Sequence, residues 1–286
     1  MLQVARLSPK LLGDAADLTA QFFTNRLNSD GGFQDREGSS DLYYTVFGLE
    51  GLCALQRDLP IEAVRRYLKT FGDGNSLDFV HTACLARCYA NSGSANEAPG
   101  DTICQNLESH RTSDGGYNQD KTATYGTAYA CFLALGAYQD LGVLPPHPER
   151  LLDCLTTLRA TDGGYANQPN MPEGLTPSTA AVLTLYRQLS HRIPEDSAQW
   201  LLKRCLPEGG FFATPAAPLP DLLSTATALH ALSGCGMPLD SIREPCLDYV
   251  DSLWTNQGGF YGHWSDDVQD CEYTYYGLLA LGHLSL

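Results

Sequence analysis

One short segment near the carboxyl end gathers several groups that could move protons or hold a metal ion. It contains His263 and Trp264, followed closely by Asp266, Asp267 and Asp270. Crowded carboxylates raise one another's pKa, so one of them could stay protonated near neutral pH and act as a general acid. The same residues form a DDxxD sequence, and on a helix Asp266 and Asp270 would share a face and could bind one magnesium ion. The alternative is a solvated turn that ends in a helix cap.

A second group of acidic residues has a fixed place in the sequence. Asp41, Asp78, Asp221 and Asp270 each lie four residues before a Thr that stands in an apolar stretch. An Asp in this place is suited to cap the start of a helix. His81 follows Asp78 by three residues. We expect these side chains, with Tyr44 and Tyr273, to point toward one end of a common cavity.

These positions belong to a unit that is repeated six times. A turn of the Gly-Gly-aromatic type, or a weaker variant, begins at Gly31, Gly72, Gly115, Gly163, Gly209 and Gly258. Each turn is followed by a Thr, at Thr45, Thr82, Thr127, Thr179, Thr225 and Thr274. A period of roughly 40–50 residues indicates one supersecondary unit copied along the chain.

Each repeat reads as two helices. The segments before the turns are amphipathic, which predicts outer helices at Ala15–Leu27, Ile61–Phe71, Ile103–Arg111, Glu149–Ala160, Ser197–Leu206 and Leu239–Trp254. The segments after the turns are apolar on most faces, which predicts buried inner helices at Leu42–Leu55, Phe79–Tyr89, Thr127–Tyr138, Thr179–Leu189, Thr225–Leu232 and Thr274–Leu284. We therefore predict one all-α domain over residues 1–286, an α/α toroid of six helical hairpins.

Composition excludes several classes of partner. The net charge of −15 argues against nucleic acid and anionic membrane surfaces, which attract basic patches. No apolar stretch approaches the ~20 residues of a membrane span, and no secretory signal is recognisable. The 10 cysteines are scattered without a CxxC pair, so we expect reduced thiols and a cytoplasmic protein.

The repeat resembles that of a known family. The stretch from Asp30 to Leu52, which runs DGGFQDREGSSDLYYTVFGLEGL, is similar to the repeat of protein prenyltransferase β-subunits and, more widely, of squalene cyclases and class II terpene cyclases. The resemblance implies a deep apolar cavity that holds an isoprenoid chain. Its aromatic lining would come from Tyr43, Tyr44, Phe47, Phe79, Tyr125, Tyr129, Trp264, Tyr273, Tyr275 and Tyr276. Aromatic faces suit such a chain and stabilise carbocations.

The family's catalytic groups carry over only in part. By resemblance, Asp41 and His81 occupy the positions of two zinc ligands, but Tyr43 stands where the third, a cysteine, is needed. In the last repeat Cys271 lies one place early, and Glu272 occupies the ligand position. A metal with two protein ligands is not held firmly, so zinc is not expected, whereas magnesium is left open.

The groups that handle a diphosphate or an alkene are altered as well. Arg36 matches an arginine that neutralises a diphosphate in the family, but the last repeat carries acidic residues where cations are expected. The Asp-x-Asp-Asp motif of the cyclases does not occur.

Three functions fit these observations. The first is an isoprenoid enzyme of the prenyltransferase or terpene cyclase type with a modified site. The second is a non-catalytic toroid that binds a lipid or a protein. The third is a carbohydrate-active (α/α)6 barrel with paired acids such as Asp41 and Asp270. The resemblance also implies a helical partner like the family's α-subunit, and self-association is the alternative.

Overall fold

The computed structural model describes all residues from Met1 to Leu286, and helices dominate it. The outer helices are α3 Ala15–Asn25, α5 Ile61–Lys69, α7 Gly100–Glu108, α9 Pro148–Thr157, α11 Glu195–Leu202 and α13 Asp240–Leu253. The inner helices are α4 Leu42–Ala54, α6 Phe79–Asn91, α8 Ala128–Asp140, α10 Thr176–Gln188, α12 Leu222–Gly234 and α14 Cys271–Leu284. Two short helices, α1 Leu2–Ala5 and α2 Pro9–Leu12, precede them, and a 3-10 turn spans Ala95–Glu97. The strands β1 Phe33–Gln34 and β2 Ser40–Asp41 form a small antiparallel pair.

The inner helices form a closed ring. Each contacts the next in chain order, and α14 returns to contact α4. The short helix α1 lies across this closure and contacts both α14 and α4. The predicted all-α toroid of six hairpins is confirmed. None of the helices combines the length and the apolarity needed to cross a bilayer.

The repeat Thr has a defined structural task. In the first repeat the Thr45 hydroxyl donates to the Asp41 carbonyl at 2.6 Å and accepts the Phe33 N–H of the glycine turn at 3.0 Å. Equivalent bonds join the turn to Thr179, Thr225 and Thr274. The Thr therefore lies one turn inside its helix. For this reason α10, α12 and α14 begin three residues earlier than predicted.

The third repeat corrects one sequence assignment. Thr127 is the N-cap of α8, where its hydroxyl accepts the Ala130 N–H at 3.1 Å. The turn's Tyr117 N–H points instead to the Cys131 Sγ atom at 3.4 Å. The assignment of Thr127 as the repeat Thr was therefore wrong: the equivalent position lies four residues later, where Cys131 replaces the Thr.

The four aspartates cap inner helices as predicted. The side chains of Asp41, Asp78, Asp221 and Asp270 each accept a backbone N–H from the first turn of the helix that follows. Their carboxylates therefore lie at the end of the toroid where the inner helices begin. We call this end the mouth.

The glycine turns fit tightly against the outer layer. Gly258 has a φ of 88°, and a Cβ there would lie 2.4 Å from the Leu18 carbonyl oxygen of α3. This contact lets the last turn reach the first outer helix and close the outer ring. All ten cysteines are free thiols.

Candidate active site

The ring encloses an apolar cavity of about 370 Å³. Its volume is near the lower end of the range for small-molecule sites. Most of its lining is hydrophobic, including the aromatic side chains of Tyr43, Phe47, Tyr129, Phe132, Tyr275 and Tyr276. By contrast, a larger groove of about 1,090 Å³ on the outer surface around α11 is lined almost entirely by polar and charged residues. The central cavity is therefore the better candidate for an apolar ligand.

The aromatic wall is built by α4 and α14 on either side of the ring closure. The Phe47 ring packs edge-on against Tyr43 at 4.9 Å between centroids, and it lies 5.6–5.8 Å from the rings of Tyr275 and Tyr276. Of the aromatic residues predicted to line the cavity, Tyr43, Phe47, Tyr129, Tyr275 and Tyr276 do so. Phe132 is an additional member that the sequence did not single out.

The other predicted aromatics lie elsewhere. Tyr44 and Phe79 border a separate recess of about 510 Å³ at the mouth, which Tyr43 also borders. Tyr273 lies under the Arg36 guanidinium at 5.4 Å. The Tyr125 hydroxyl lies 3.4 Å from the side-chain oxygen of Gln168, and Tyr125 does not line the cavity.

Three members of the acidic segment lie away from the cavity. Trp264 is 51% exposed, packs on an outer-helix tyrosine and donates its indole N–H to the Ser252 hydroxyl at 2.8 Å. His263 accepts the Ser265 N–H within its own turn. Asp267 is exposed. These three residues do not border the cavity.

Arg36 and the remaining two aspartates form a compact ion cluster. The Arg36 Nε–H donates to Asp270 at 2.7 Å, and its two terminal nitrogens donate to Asp266 at 3.0 and 3.2 Å. The aspartate side chains are 2% and 8% exposed. The segment 266–270 is not helical, so the expectation that a helix places these two carboxylates on one face is wrong. They meet around the guanidinium instead.

The two carboxylates respond differently to this environment. Burial raises the pKa of Asp266, but hydrogen bonds from Arg36 and from two backbone N–H groups outweigh burial and leave the pKa below its usual value. Burial is the larger influence at Asp270, and it raises the pKa of that carboxyl.

His81 is held between two carboxylates on the neighbouring side of the mouth. Its Nε2 atom lies 3.0 Å from an Asp41 oxygen, and its Nδ1 atom lies 2.8 Å from an Asp78 oxygen. The hydrogen bond with Asp41 raises the pKa of His81 to about 9, against the opposing effect of burial. The imidazole is thus protonated at neutral pH.

Glu272 was not identified from the sequence as a candidate acid. The Tyr43 hydroxyl donates to Glu272 Oε1 at 2.6 Å, and no cation pairs with this carboxyl. Burial raises the pKa of Glu272 to about 7, although the Tyr43 hydrogen bond acts in the opposite direction. Tyr43 lines both the cavity and the recess, whereas Glu272 lines neither and is connected to them through the Tyr43 hydroxyl.

The cavity also has a polar deep end, which the sequence did not indicate. Glu50, Arg87 and Asp140 line it at the carboxyl-terminal halves of α4, α6 and α8. No sequence motif marked these residues, since each lies within an apolar helix and their meeting depends on the closed ring.

The side chains at the mouth do not fit a zinc ion. His81 Nε2 and an Asp41 oxygen lie 3.0 Å apart, but these two residues supply only two possible ligands, too few to hold a metal firmly. Tyr43, at the cysteine position, is directed to Glu272. No group of three or more His, Cys, Asp or Glu side chains is arranged to hold a metal. Asp266 and Asp270 likewise surround a guanidinium, so they do not fit magnesium.

Comparison with known proteins agrees with this architecture. The family of prenyltransferase alpha-alpha toroid domains matches residues 7–86 and 177–285, together about two thirds of the chain. No curated protein matches the sequence.

Three solved structures illustrate the range of proteins that share the fold. Protein geranylgeranyltransferase-I of Candida albicans, complexed with GGPP, is 15% identical with a TM-score of 0.68, over 94% of this chain and 90% of that chain. A variant of the type II terpene cyclase MstE from Scytonema, in complex with geranylgeranyl dihydroxybenzoate, is 14% identical with a TM-score of 0.66, over 97% of both chains. The GH76A alpha-1,6-mannanase from Salegentibacter sp. HEL1_6 is 14% identical with a TM-score of 0.62, over 95% and 98%. At such identities the likeness shows the fold alone.

Proposed function

The chain belongs to the prenyltransferase alpha-alpha toroid family, and we propose that it binds an isoprenoid in the central cavity and starts its cyclisation by protonation from Glu272. The observation that carries this proposal is the Glu272–Tyr43 pair, whose tyrosine lines the aromatic cavity. It places an acid that titrates near neutrality one hydrogen bond away from a space suited to an apolar chain.

Binding would draw mainly on the apolar lining. Each CH₂ group removed from water contributes about 0.8 kcal/mol, so a chain of 10–15 carbons gains enough to be held without a charged anchor. Two structural neighbours were solved with geranylgeranyl compounds, which supports an isoprenoid as the ligand. The faces of Tyr43, Phe47 and Tyr276 would stabilise a carbocation inside the cavity.

Glu272 would supply the proton. A carboxyl group with a pKa of about 7 is half protonated at neutral pH and can therefore act as a general acid. The Tyr43 hydroxyl, which lines the cavity, would give its proton to the terminal alkene and take up the Glu272 proton in its place, so that a new C–H bond forms at one alkene carbon and a cation develops at the other. An internal alkene would then close the ring, and loss of one proton to water would give a product isomeric with the substrate. Tyr43 would thus relay the proton between the buried carboxyl and the ligand.

The charge at the mouth favours this reaction over diphosphate chemistry. Four carboxylates, of Asp41, Asp78, Asp266 and Asp270, are balanced by only two cations, Arg36 and His81. An entering diphosphate would meet a net negative field, and Arg36 is already occupied. A prenyltransferase function therefore has less support than a cyclase function. The paired-acid reading for sugars has less support as well, because Asp41 and Asp270 are each held by a cation.

Deuterium incorporation tests the proposal. The wild-type protein is incubated with farnesol or geranylgeraniol in D₂O containing EDTA, and products are analysed by mass spectrometry. We expect cyclic isomers that carry one deuterium, and we expect Glu272→Gln to abolish them. Product without deuterium, or product that requires a metal, would contradict protonation by Glu272. Binding without any product would favour the non-catalytic lipid-binding toroid.

Association with a helical partner, or with a second copy of the chain, stays a prediction. Light scattering of the purified protein tests it. A stable monomer with full turnover would reject both forms of association.

A further inference from the structure

The deep end of the cavity is charged, although the cavity is otherwise apolar. Arg87 donates through Nε to Asp140 at 2.6 Å and through Nη1 to Glu50 at 3.0 Å. The Glu50 and Asp140 side chains are 6% and 14% exposed, and all three residues line the cavity. Glu50 lies seven residues after Tyr43 on α4, which places it about 10 Å deeper at 1.5 Å per residue.

This cluster keeps hydrogen-bonding capacity that the protein does not use. Glu50 Oε1 accepts from Arg87 and Asn91, whereas Oε2 accepts from no protein group. Asp140 uses one carboxylate oxygen for Arg87 and leaves the other without a protein donor. The Nη2 group of Arg87 has no acceptor in the protein. Gly136 lies beside it, and a Cβ at that glycine would be 3.2 Å from Nη2.

An independent group points to the same place. Tyr275 lines the cavity and is 1% exposed, yet its hydroxyl makes no hydrogen bond of good geometry. Leaving a buried hydroxyl unpaired costs about 1–3 kcal/mol. Burial raises the pKa of Tyr275, and the charge of Glu50 together with a side-chain interaction between the two residues adds to the rise. Tyr275 therefore stands beside the cluster with a donor that a ligand could use.

Stability does not explain the cluster. Replacing a buried ion pair with apolar residues of similar volume is often neutral or stabilising. Here one guanidinium serves two carboxylates, and the other basic group at this end is the amino terminus of Met1, which interacts with Glu50 and has a pKa lowered by burial. A carboxylate or a phosphate would lie against Glu50 and Asp140, whereas a neutral group that both donates and accepts a hydrogen bond suits these partners.

We propose that the deep end binds the hydroxyl head of an uncharged isoprenol, which enters the cavity head first and leaves its terminal alkene beside Tyr43, the hydrogen-bond partner of Glu272. The hydroxyl donates to a free oxygen of Glu50 or Asp140 and accepts from Arg87 Nη2 or the Tyr275 hydroxyl. This inference rests on the proposed function, because it assigns the substrate class and the orientation of the ligand in the same cavity. The substrate class is a free isoprenoid alcohol rather than an isoprenyl diphosphate.

Calorimetric titration with a matched head-group series tests the inference. Farnesol is compared with farnesyl methyl ether, which lacks the donor, and with farnesoic acid, which is ionised at pH 7.5. We expect farnesol to bind at least fivefold more tightly than the ether, and the carboxylate to bind most weakly. Equal affinity for farnesol and the ether would overturn the proposed hydroxyl site but would still agree with isoprenoid binding in the cavity. Tightest binding by the carboxylate would overturn it too, whereas binding of none of the three would overturn both proposals.

Two isosteric variants locate the preference at the deep end. Glu50→Gln and Asp140→Asn each replace a carboxylate oxygen by an amide NH₂ and retain the oxygen for Arg87. Each should reduce the ratio of farnesol to ether affinity by threefold or more while the affinity for the ether changes little. Asp17→Asn, on the outer helix α3, is the matched control and should keep the wild-type ratio. An unchanged ratio of farnesol to ether affinity in both deep-end variants would overturn the assignment of the hydroxyl site. If one variant does not fold, the comparison uses the other.

Discussion

Two junctions at the mouth of the toroid use the same arrangement with different cations. Where the last repeat meets the first, Asp270 caps α14 and is held by Arg36. Where the first repeat meets the second, Asp41 caps α4 and is held by His81. In each case the cation comes from the next repeat around the ring. The arrangement joins the start of one inner helix to its neighbour.

The difference between the cations determines what each junction can do. Arg36 stays charged at every accessible pH, so its ion pairs are permanent. His81 has a pKa of about 9, so its charge is lost in mildly alkaline solution. Glu272 lies between these junctions with Tyr43 as its hydrogen-bond partner and without a cation, and it remains able to take up and release a proton near pH 7. The presence of a local cation thus distinguishes the capping carboxylates from Glu272, which has none.

The largest effect is expected for Glu272→Gln. The amide keeps the Tyr43 hydrogen bond but cannot donate an acidic proton, and general acids contribute about 10²–10⁴-fold to a rate. Turnover of the isoprenol should fall by that factor, measured as product formed per enzyme by gas chromatography. Binding of the same isoprenol by calorimetry is the control, and it should remain within threefold. Retained turnover would show that Glu272 is not the acid.

Arg36→Met should destabilise the closing junction strongly. It leaves the buried carboxylates of Asp266 and Asp270 without a cation, and because the Arg36 side chain is itself 36% exposed the loss should be about 2 kcal/mol, below the cost of breaking a fully buried pair. Urea unfolding monitored by circular dichroism measures the loss. Arg57→Met breaks an exposed ion pair with Asp17 and serves as the matched control, with an expected loss below about 1 kcal/mol. Equal losses in the two variants would contradict the structural role of Arg36.

His81→Gln should have a smaller effect that depends on pH. The folded-state pKa of about 9 lies above the unfolded value of 6.5, so the folded protein holds this proton more tightly. The stabilisation is complete below pH 6.5 and is lost as the pH rises through 9. Because the side chains of His81, Asp41 and Asp78 are partly exposed, the variant should lose about 1 kcal/mol of unfolding free energy at pH 6. Urea unfolding at pH 6 and at pH 9.5 should show that the difference between variant and wild type shrinks at the higher pH.

The smallest effect is expected for Asp267→Asn. This side chain is exposed and has no ion pair. Turnover should therefore stay within twofold of wild type, and the unfolding free energy within about 0.5 kcal/mol. A large loss of turnover in Asp267→Asn would instead indicate that the acidic segment, residues 263–270, takes part in catalysis.

The repeat pattern made the fold predictable, because six copies of one turn and one apolar stretch require a common packing partner. The capping aspartates followed from the same register. Thr127 was misplaced since the Thr position of that repeat holds Cys131, and pattern matching favours the nearest Thr.

The candidate site was less predictable because its contacts join distant parts of the chain. Glu272 meets Tyr43 across 229 residues, and Arg36 meets Asp270 across 234. The DDxxD spacing suggested a metal site, but it could not show that an arginine from the first repeat occupies the space between the carboxylates. Burial, which sets the pKa of Glu272, is likewise a property of the closed ring.

The central claim is that Glu272, unlike its neighbours, titrates near neutrality. Carbon-13 NMR of protein labelled at the side-chain carboxyl groups, recorded from pH 4 to pH 9, measures this directly. The structure predicts one glutamate carboxyl with a midpoint at about pH 7, and this signal should be absent from Glu272→Gln. A spectrum in which every glutamate titrates below pH 5.5 would contradict the account, because Glu272 would then be ionised at neutral pH and could not supply the proton.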